Sequence, residues 1–259
     1  MCLILLAHRF HPDYPLIVAA NRDEYYNRPT EKARFWKDHQ YLLAGQDIKY
    51  GGTWMGMTTL GRFAAVTNFR DRTEFREHPL SRGLMVRDFL TSHEPPETFL
   101  RGILHRQDKY NGFNLLLGDL TGLFYYSNRG SELKPLQPGI YGLSNHLLDT
   151  PWPKVVRSRS RFLEVLKRSV SPLSDSLFEI LSDRTLADDG ELPDTGFGTQ
   201  WEKMLSSPFI VSPDYGTRTS TVLMIRKDRH VSFMERSFTG PEDHGTTVNY
   251  EFKLSGSGI

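Results

Sequence analysis

Two runs near the start of the chain, residues 2–8 and 14–20, have no polar face. In the first, Cys2, Ile4 and Leu6 point one way and Leu3, Leu5 and Ala7 the other. A half-exposed strand alternates apolar with polar residues; a strand apolar on both faces needs a layer against each. His11-Pro12-Asp13 between the runs is a turn signal. No apolar run approaches the roughly 18 residues a membrane span needs, so the cover must come from the chain itself. With 259 residues, 38% of them hydrophobic, there is enough chain to supply it. No Gly-, Pro- or Ser-rich linker and no internal repeat interrupts the sequence, which points to a single domain over 1–259.

Further strands are expected at 53–58 and 62–68, joined by Thr59-Leu60-Gly61, and at 113–117 and 123–127 around Gly118 to Gly122. Another is expected near 139–144, and three more at 220–226, 230–236 and 246–252. Helical spacing marks Leu84, Met85, Phe89 and Leu90, then Phe99 to Leu104, then Val155 to Leu166, then 175–182. The stretch 184–216 is polar and broken by Gly and Pro. Strands come in pairs rather than alternating with helices, so a doubly wound parallel sheet does not fit. Antiparallel sheets with helices in their own layers do, and the doubly apolar first strand suggests two sheets sandwiched between helices.

Lys and Arg number 32 against 31 Asp and Glu, a net charge of +1, which leaves no electrostatic footprint for nucleic acid or for an acidic membrane surface. One cysteine excludes a disulfide framework and a multi-cysteine zinc site. No His-Glu-x-x-His or Cys-x-x-Cys-His motif occurs, so no metal ligands are assigned, although a haem held by one histidine and apolar walls stays open. No basic segment precedes the apolar start and no small-residue cleavage site follows it, the pattern of a cytoplasmic protein.

The single cysteine, Cys2, follows the initiator methionine. Cysteine is small enough for that methionine to be trimmed, and an N-terminal cysteine carries its own general base. The free α-amine titrates near about pH 8 and can take the thiol proton directly or through a water. The same position also fits an inert thiol buried in an apolar strand. Asn21-Arg22-Asp23-Glu24 directly follows the apolar run 16–20. It fits a solvated turn, or a buried, mutually neutralised group that orients a nucleophile. In an extended segment Arg22 and Glu24 share one face, Asn21 and Asp23 the other. Because the strand leading to them is apolar on both faces, Arg22 and Asp23 are expected to be buried and paired near Cys2.

Gly51-Gly52-Thr53-Trp54-Met55-Gly56 lacks the Gly-Lys-Ser/Thr ending of a phosphate loop and fits close backbone approach instead. Asn68 ends an apolar strand in Val66-Thr67-Asn68-Phe69-Arg70, and Asn145 repeats the pattern in Gly142-Leu143-Ser144-Asn145. Asparagine amides at strand ends suit oxyanion stabilisation. Tyr215 to Thr221, with Arg218 inside it, precedes a strongly apolar strand. Residues 154–168 hold Lys154, Arg157, Arg159, Arg161, Lys167 and Arg168 against one acid, Glu164. That is a solvated helix face or a phosphate-contacting patch.

Taken in chain order, Met1-Cys2, Asn21 to Glu24, Gly51 to Gly56, Val66 to Arg70, Ser81-Arg82-Gly83, Tyr110 to Asn114, Gly142 to Asn145 and Tyr215 to Thr221 resemble the NRDE family, also called the transport and Golgi organisation 2 family. More distantly, the pattern looks like the N-terminal-nucleophile hydrolases of the choloylglycine, penicillin acylase and acid ceramidase kind. The resemblance implies an α+β fold, a four-layer αββα sandwich of two mainly antiparallel sheets between helix layers. It implies Cys2 as nucleophile with its amine as base, Asn68 and Asn145 as oxyanion donors, Arg22 and Asp23 fixing amine and thiolate, and Arg218 holding the site together. There is one departure: the hydrolases carry an Arg and, three residues later, an Asp, whereas Arg22 and Asp23 are adjacent and Asn21 and Glu24 occupy that spacing.

Two functions follow from the resemblance. The first is a cysteine amidohydrolase or thioesterase acting on a small acyl substrate, with no cofactor required. The second is a non-catalytic haem or acyl-CoA/lipid carrier using the same cleft, since the family is associated with haem trafficking and lipid homeostasis. Asn21, Glu24 and Trp54 would then line the site, and the basic stretch 154–168 would meet propionates or phosphates.

Overall fold

The computed structural model describes residues 2–71, 79–130, 133–168 and 173–255, so Met1 lies outside it. In chain order the strands are β1 (Cys2–His8), β2 (Leu16–Tyr25), β3 (Thr30–Phe35), β4 (Leu42–Asp47), β5 (Met55–Thr58), β6 (Phe63–Asn68), β7 (Phe113–Gly118), β8 (Leu123–Ser127), β9 (Lys134–Pro135), β10 (Gly139–Leu143), β11 (Tyr215–Ile225), β12 (His230–Ser237) and β13 (Thr246–Lys253). The helices are α1 (Arg82–Thr91), α2 (Pro96–Leu104), α3 (Pro153–Lys167), α4 (Leu173–Leu181) and α5 (Thr199–Met204). The class is α+β, with two antiparallel sheets. Two compact units share the chain: Met1–Asn27 with Pro138–Glu251, and Arg28–Gln137 with Phe252–Ile259.

The first unit holds a six-stranded sheet in the order β10-β1-β2-β11-β12-β13. Leu3, Leu5, Ala7, Ile17, Ala19, Val222 and Met224 form one face, under Phe162 and Leu166 of α3 and Leu177, Phe178 and Leu181 of α4. Each large apolar side chain removed from water there contributes roughly 1.5–3 kcal/mol. On the other face Ile4, Leu6, Val18 and Ala20 are buried as well, so the doubly apolar pattern of β1 and β2 corresponds to cover on both sides. Pro153 opens α3 at its first turn, where a missing N–H costs nothing.

The second unit holds a seven-stranded sheet in the order β3-β4-β5-β6-β7-β8-β9. The stripes Met85, Val86, Phe89 and Leu90 of α1 and Phe99, Leu100 and Ile103 of α2 pack on Leu42, Ala64, Leu115 and Leu117. The glycine motif of 51–56 has its explanation here. Thr53 N–H donates to the Gly83 carbonyl at 3.1 Å, joining the loop to the start of α1. A Cβ on Gly52 would lie 2.5 Å from the Gly83 carbonyl carbon, and one on Gly45 would lie 2.2 Å from the Trp54 ring. Both are places where backbone must approach closely.

The two largest boundary differences concern the polar motifs. β2 continues through Asn21 to Glu24 and ends at Tyr25, and β11 begins at Tyr215 rather than 220. The polar motif is therefore inside a strand, because β1 pairs with one edge of it and β11 with the other. β3, β4 and the short α5 are additional to the sequence expectation; β3 carries Glu31, Lys32 and Arg34, which hide any alternation.

Gly52→Ala is expected to destabilise the protein by about 1–3 kcal/mol, since its neighbours are backbone atoms that cannot turn aside. Gly102→Ala, inside α2 with nothing near the added methyl, is expected to be neutral or to stabilise by up to about 1 kcal/mol. Urea melts of the two variants against the parent distinguish these outcomes.

Candidate functional site

Cys2 sits at the start of β1, directly opposite Arg22 of β2. Directly paired residues in an antiparallel ladder share a face. Leu3 and Leu5 point to the helices, so Cys2 and Arg22 lie on the face opposite α3 and α4. The main-chain nitrogen of Cys2 donates to Oδ1 of Asn145 at 3.1 Å. Ser144 Oγ donates to the Cys2 carbonyl at 2.8 Å and lies 3.2 Å from the same Asn145 oxygen. Ser144 and Asn145, just past the last pairing of β10 with β1, thus fix both backbone polar groups of Cys2.

Alternation in β2 divides the charged motif between two faces. Arg22 and Glu24 lie on the Cys2 side and form an ion pair at 3.8 Å. Asn21 and Asp23 lie on the helix side. Asn21, 1% exposed, donates through Nδ2 to the carbonyls of Leu181 at 2.8 Å and Pro208 at 2.9 Å, and accepts from Ser220 Oγ at 2.6 Å. Both of its donors are committed to the fold, which ties β2 to the end of α4 and to the segment before β11. Asp23 accepts a 2.7 Å hydrogen bond from Thr217 Oγ1, and its carbonyl accepts one from the Tyr215 hydroxyl at 3.2 Å. Arg22 and Asp23 are both buried. Arg22 also forms an ion pair with Glu24, two residues along the strand, and its charge acts on Asp23.

Arg218 occupies a bulge in β11, between Thr217 opposite Asp23 and Thr219 opposite Arg22. The extra residue turns its side chain onto three carbonyls: Phe238 at 3.0 Å, Tyr25 at 2.8 Å and Tyr26 at 2.9 Å. It clamps the exit of β2 against the end of β12. Asn68 and Trp54 belong to the other unit, Asn68 as the exposed last residue of β6 and Trp54 packed over Gly45.

Burial pushes the Cys2 thiol above its ordinary value, and the negative charge of Asp23 adds to this. The N-terminal charge, then the charge of Arg22 and the hydrogen bond from the Asp23 backbone, pull the other way. Asp23 is also raised, chiefly by burial, against the N-terminal charge, the charge of Lys154, the Thr217 hydroxyl and the charge of Arg22. Tyr215 is raised well above the usual phenol range, by burial and then by the charges of Asp23 and Cys2. At neutral pH the thiol keeps its proton, so a nucleophilic role requires a base beside it. Among the described residues no three His, Cys, Asp or Glu side chains gather into a metal site.

Much of the basic stretch 154–168 has partners within its own unit. Arg157 and Arg161 meet Asp183 at 3.1 and 3.4 Å, Arg159 holds the Ile140 carbonyl, and Arg168 lies 3.6 Å from Glu164. Lys154 is buried, a placement the sequence concealed because a lysine heading a basic run looks solvated. Ser144, Thr217 and Tyr215 were likewise missed as site residues. The signal for Ser144 was its place beside Asn145; Thr217 and Tyr215 stood in a recognised motif with nothing to say which side chains turn inward.

Among solved structures, the α+β fold is similar to that of a variant of conjugated bile acid hydrolase from Clostridium perfringens, with a TM-score of 0.49 and 10% identity over 100% of this chain and 99% of that one. It is also similar to an N-acylethanolamine-hydrolyzing acid amidase ortholog from Caenorhabditis elegans, with a TM-score of 0.40 and 16% identity over 86% and 92%. Residues 1–240 match the family described as Transport and Golgi organisation 2. The Transport and Golgi organization protein 2 homolog of Homo sapiens is 39% identical over 98% of this chain and 99% of its own length. The Drosophila melanogaster Transport and Golgi organization protein 2 is 28% identical over 95% of each. The chain belongs to the Transport and Golgi organisation 2 family.

Asn21→Ala is expected to cost about 1–3 kcal/mol, because it strands two buried carbonyls and a hydroxyl. Glu24→Gln, at the partly exposed end of the motif, is expected to cost less than about 1 kcal/mol. Equal losses in denaturant melts would contradict the division into two faces. Asp183 offers a pH test. Burial tends to raise it, but the Thr185 hydroxyl and backbone N–H, with Arg157 and Arg161, together hold it below the usual carboxylate range. A depressed folded-state value means stability that is present above the unfolded pKa and lost as pH falls through the folded one. Asp183→Asn is therefore expected to destabilise by about 1–3 kcal/mol at pH 7, with the gap to the parent closing below about pH 4. A gap that is constant with pH would contradict it.

Proposed function

We propose that the chain is a cysteine hydrolase of the N-terminal-nucleophile type, acting on an amide or thioester bond of a small acyl substrate after Met1 is removed. The observation that carries this reading is the 3.1 Å contact between the Cys2 nitrogen and Asn145 Oδ1. With Met1 gone, that nitrogen is an amine whose lone pair and protons are oriented by one fixed acceptor.

The chemistry then runs from the chain's own groups. The amine takes the thiol proton, directly or through a water, and the sulfur attacks the substrate carbonyl carbon. A C–S bond forms and the carbonyl oxygen becomes an oxyanion. Asn145, whose Oδ1 accepts from the Cys2 nitrogen, would stabilise the oxyanion through its Nδ2 group. On collapse, the C–N or C–S bond of the substrate breaks and the ammonium returns its proton to the leaving group. Water then attacks the acyl-cysteine, losing its proton to the amine and regenerating the thiol. The ammonium formed in each half is offset by Asp23, whose charge reaches this centre. Because burial raises the thiol, the built-in base is a requirement of this mechanism. The acid partners of Arg157, Arg161 and Arg168 weigh against the basic stretch as an anion cradle, and so favour hydrolysis over the carrier role.

Assays on a panel of N-acyl amino acids, acyl anilides and acyl thioesters are expected to find turnover whose kcat/KM rises with pH through about 8 as the amine loses its proton. Cys2→Ala is expected to reduce it at least about a thousandfold. Turnover unaffected by Cys2→Ala, or none across the panel, would overturn the hydrolase reading.

A further inference from the structure

The first turn of α3 brings a cation to the back of the Cys2 site. Lys154, the second residue of that helix, is 2% exposed. The next residue, Val155, packs so closely on β10 that a Cβ on Gly142 would lie 2.7 Å from its Cγ1. Gly142 is three residues before Asn145, so this turn is pressed against the strand end that holds Cys2. Asp23 stands on the same helix-facing side of β2, 3% exposed, within electrostatic reach of the Lys154 ammonium. A buried charge persists only when compensated. Glu202 and Glu235 are the other buried acids of this unit among the described residues. Glu202 takes hydrogen bonds from Thr195, and Glu235 is on β12 opposite Thr221, on the Cys2 face.

We infer that Lys154 is a positioning residue of this centre: its ammonium is the buried counter-ion that keeps Asp23 ionised behind Cys2, available to balance the ammonium formed when the amine takes the thiol proton. The inference rests on Cys2 being the nucleophile. It assigns a role to a lysine that otherwise belongs to a surface-paired basic run. The charged and titratable groups that act on Asp23 are the chain's N-terminal charge, Lys154 on α3, Thr217 and Tyr215 on β11, Tyr26 just past β2, and, from the other face of the sheet, Arg22 and Cys2. Burial drives Asp23 toward its neutral form; the N-terminal charge opposes that first, then Lys154, Thr217 and Arg22. Of the three positive groups, the N-terminal charge belongs to the Cys2 end of β1 and Arg22 also pairs with Glu24; Lys154 acts from the helix side.

The test is a pH titration of the Asp23 carboxyl by carbon NMR on protein labelled at aspartate, with the signal assigned through Asp23→Asn. Lys154→Met is expected to raise the Asp23 midpoint by about one pH unit or more, and Lys154→Arg, which keeps the charge, to hold it near the parent value. An unchanged midpoint in Lys154→Met overturns the inference. If Lys154→Met does not fold, the double variant Lys154→Met with Asp23→Asn decides. A shared charge pair predicts that removing both partners restores folding, and failure to restore it overturns the pair. Neither readout uses turnover, so an inactive protein still answers this question, and a failed pair leaves the hydrolysis assay to stand or fall separately.

Discussion

The pairing of β2 along both edges is the constraint on which the rest of this unit depends. Four consecutive polar residues would ordinarily leave a sheet for solvent, because unpaired backbone and charged side chains gain more from water than from a dry interior. Here β1 supplies partners up to Arg22, and β11 continues to Tyr25 with one bulge. The backbone of the motif is thereby satisfied, and its side chains are forced into strict alternation. One pair of residues is delivered to the helices as structural glue and the other to the face that carries Cys2. The bulge at Arg218 is part of the same arrangement, since the extra residue turns a guanidinium onto the carbonyls at the exit of β2.

The arrangement works against folding in one respect. Asp23 has its folded value raised, mainly by burial. A carboxyl raised in the folded state contributes stability below its unfolded pKa, and that contribution is lost as pH rises through the folded one. Ionising Asp23 as pH rises therefore costs stability, and the saturated amide of Asn21 and the apolar layer under α3 and α4 offset it.

Much of this was legible in the chain. The doubly apolar run of β1, the helical stripes of α1 to α4 and the strands at 63–68, 113–118 and 230–237 follow directly from periodicity. Cys2 and Asn145 stood out by residue type and place, and the structure brings them into contact. What escaped was set by partners far along the sequence. Thr217, which bonds Asp23, is 194 residues away, and no local pattern announces that a charged segment will be paired on both sides. Asn21 looked like a ligand-binding amide because its partners, two carbonyls on distant segments, leave no trace in side-chain type. Lys154 is hidden by its charged neighbours, and β3 by three charged residues in a six-residue strand.

At the centre of the account is a Cys2 that carries a free amine and a free thiol together, the amine resting against Asn145. The most direct measurement is condensation of the native protein with 2-cyanobenzothiazole, which forms a ring only with a 1,2-aminothiol, followed by intact mass. A single adduct on every molecule, at a mass lacking Met1 and abolished by Cys2→Ser, is the predicted result. A protein that keeps Met1 and takes up no adduct would contradict the built-in base, and with it the proposed chemistry.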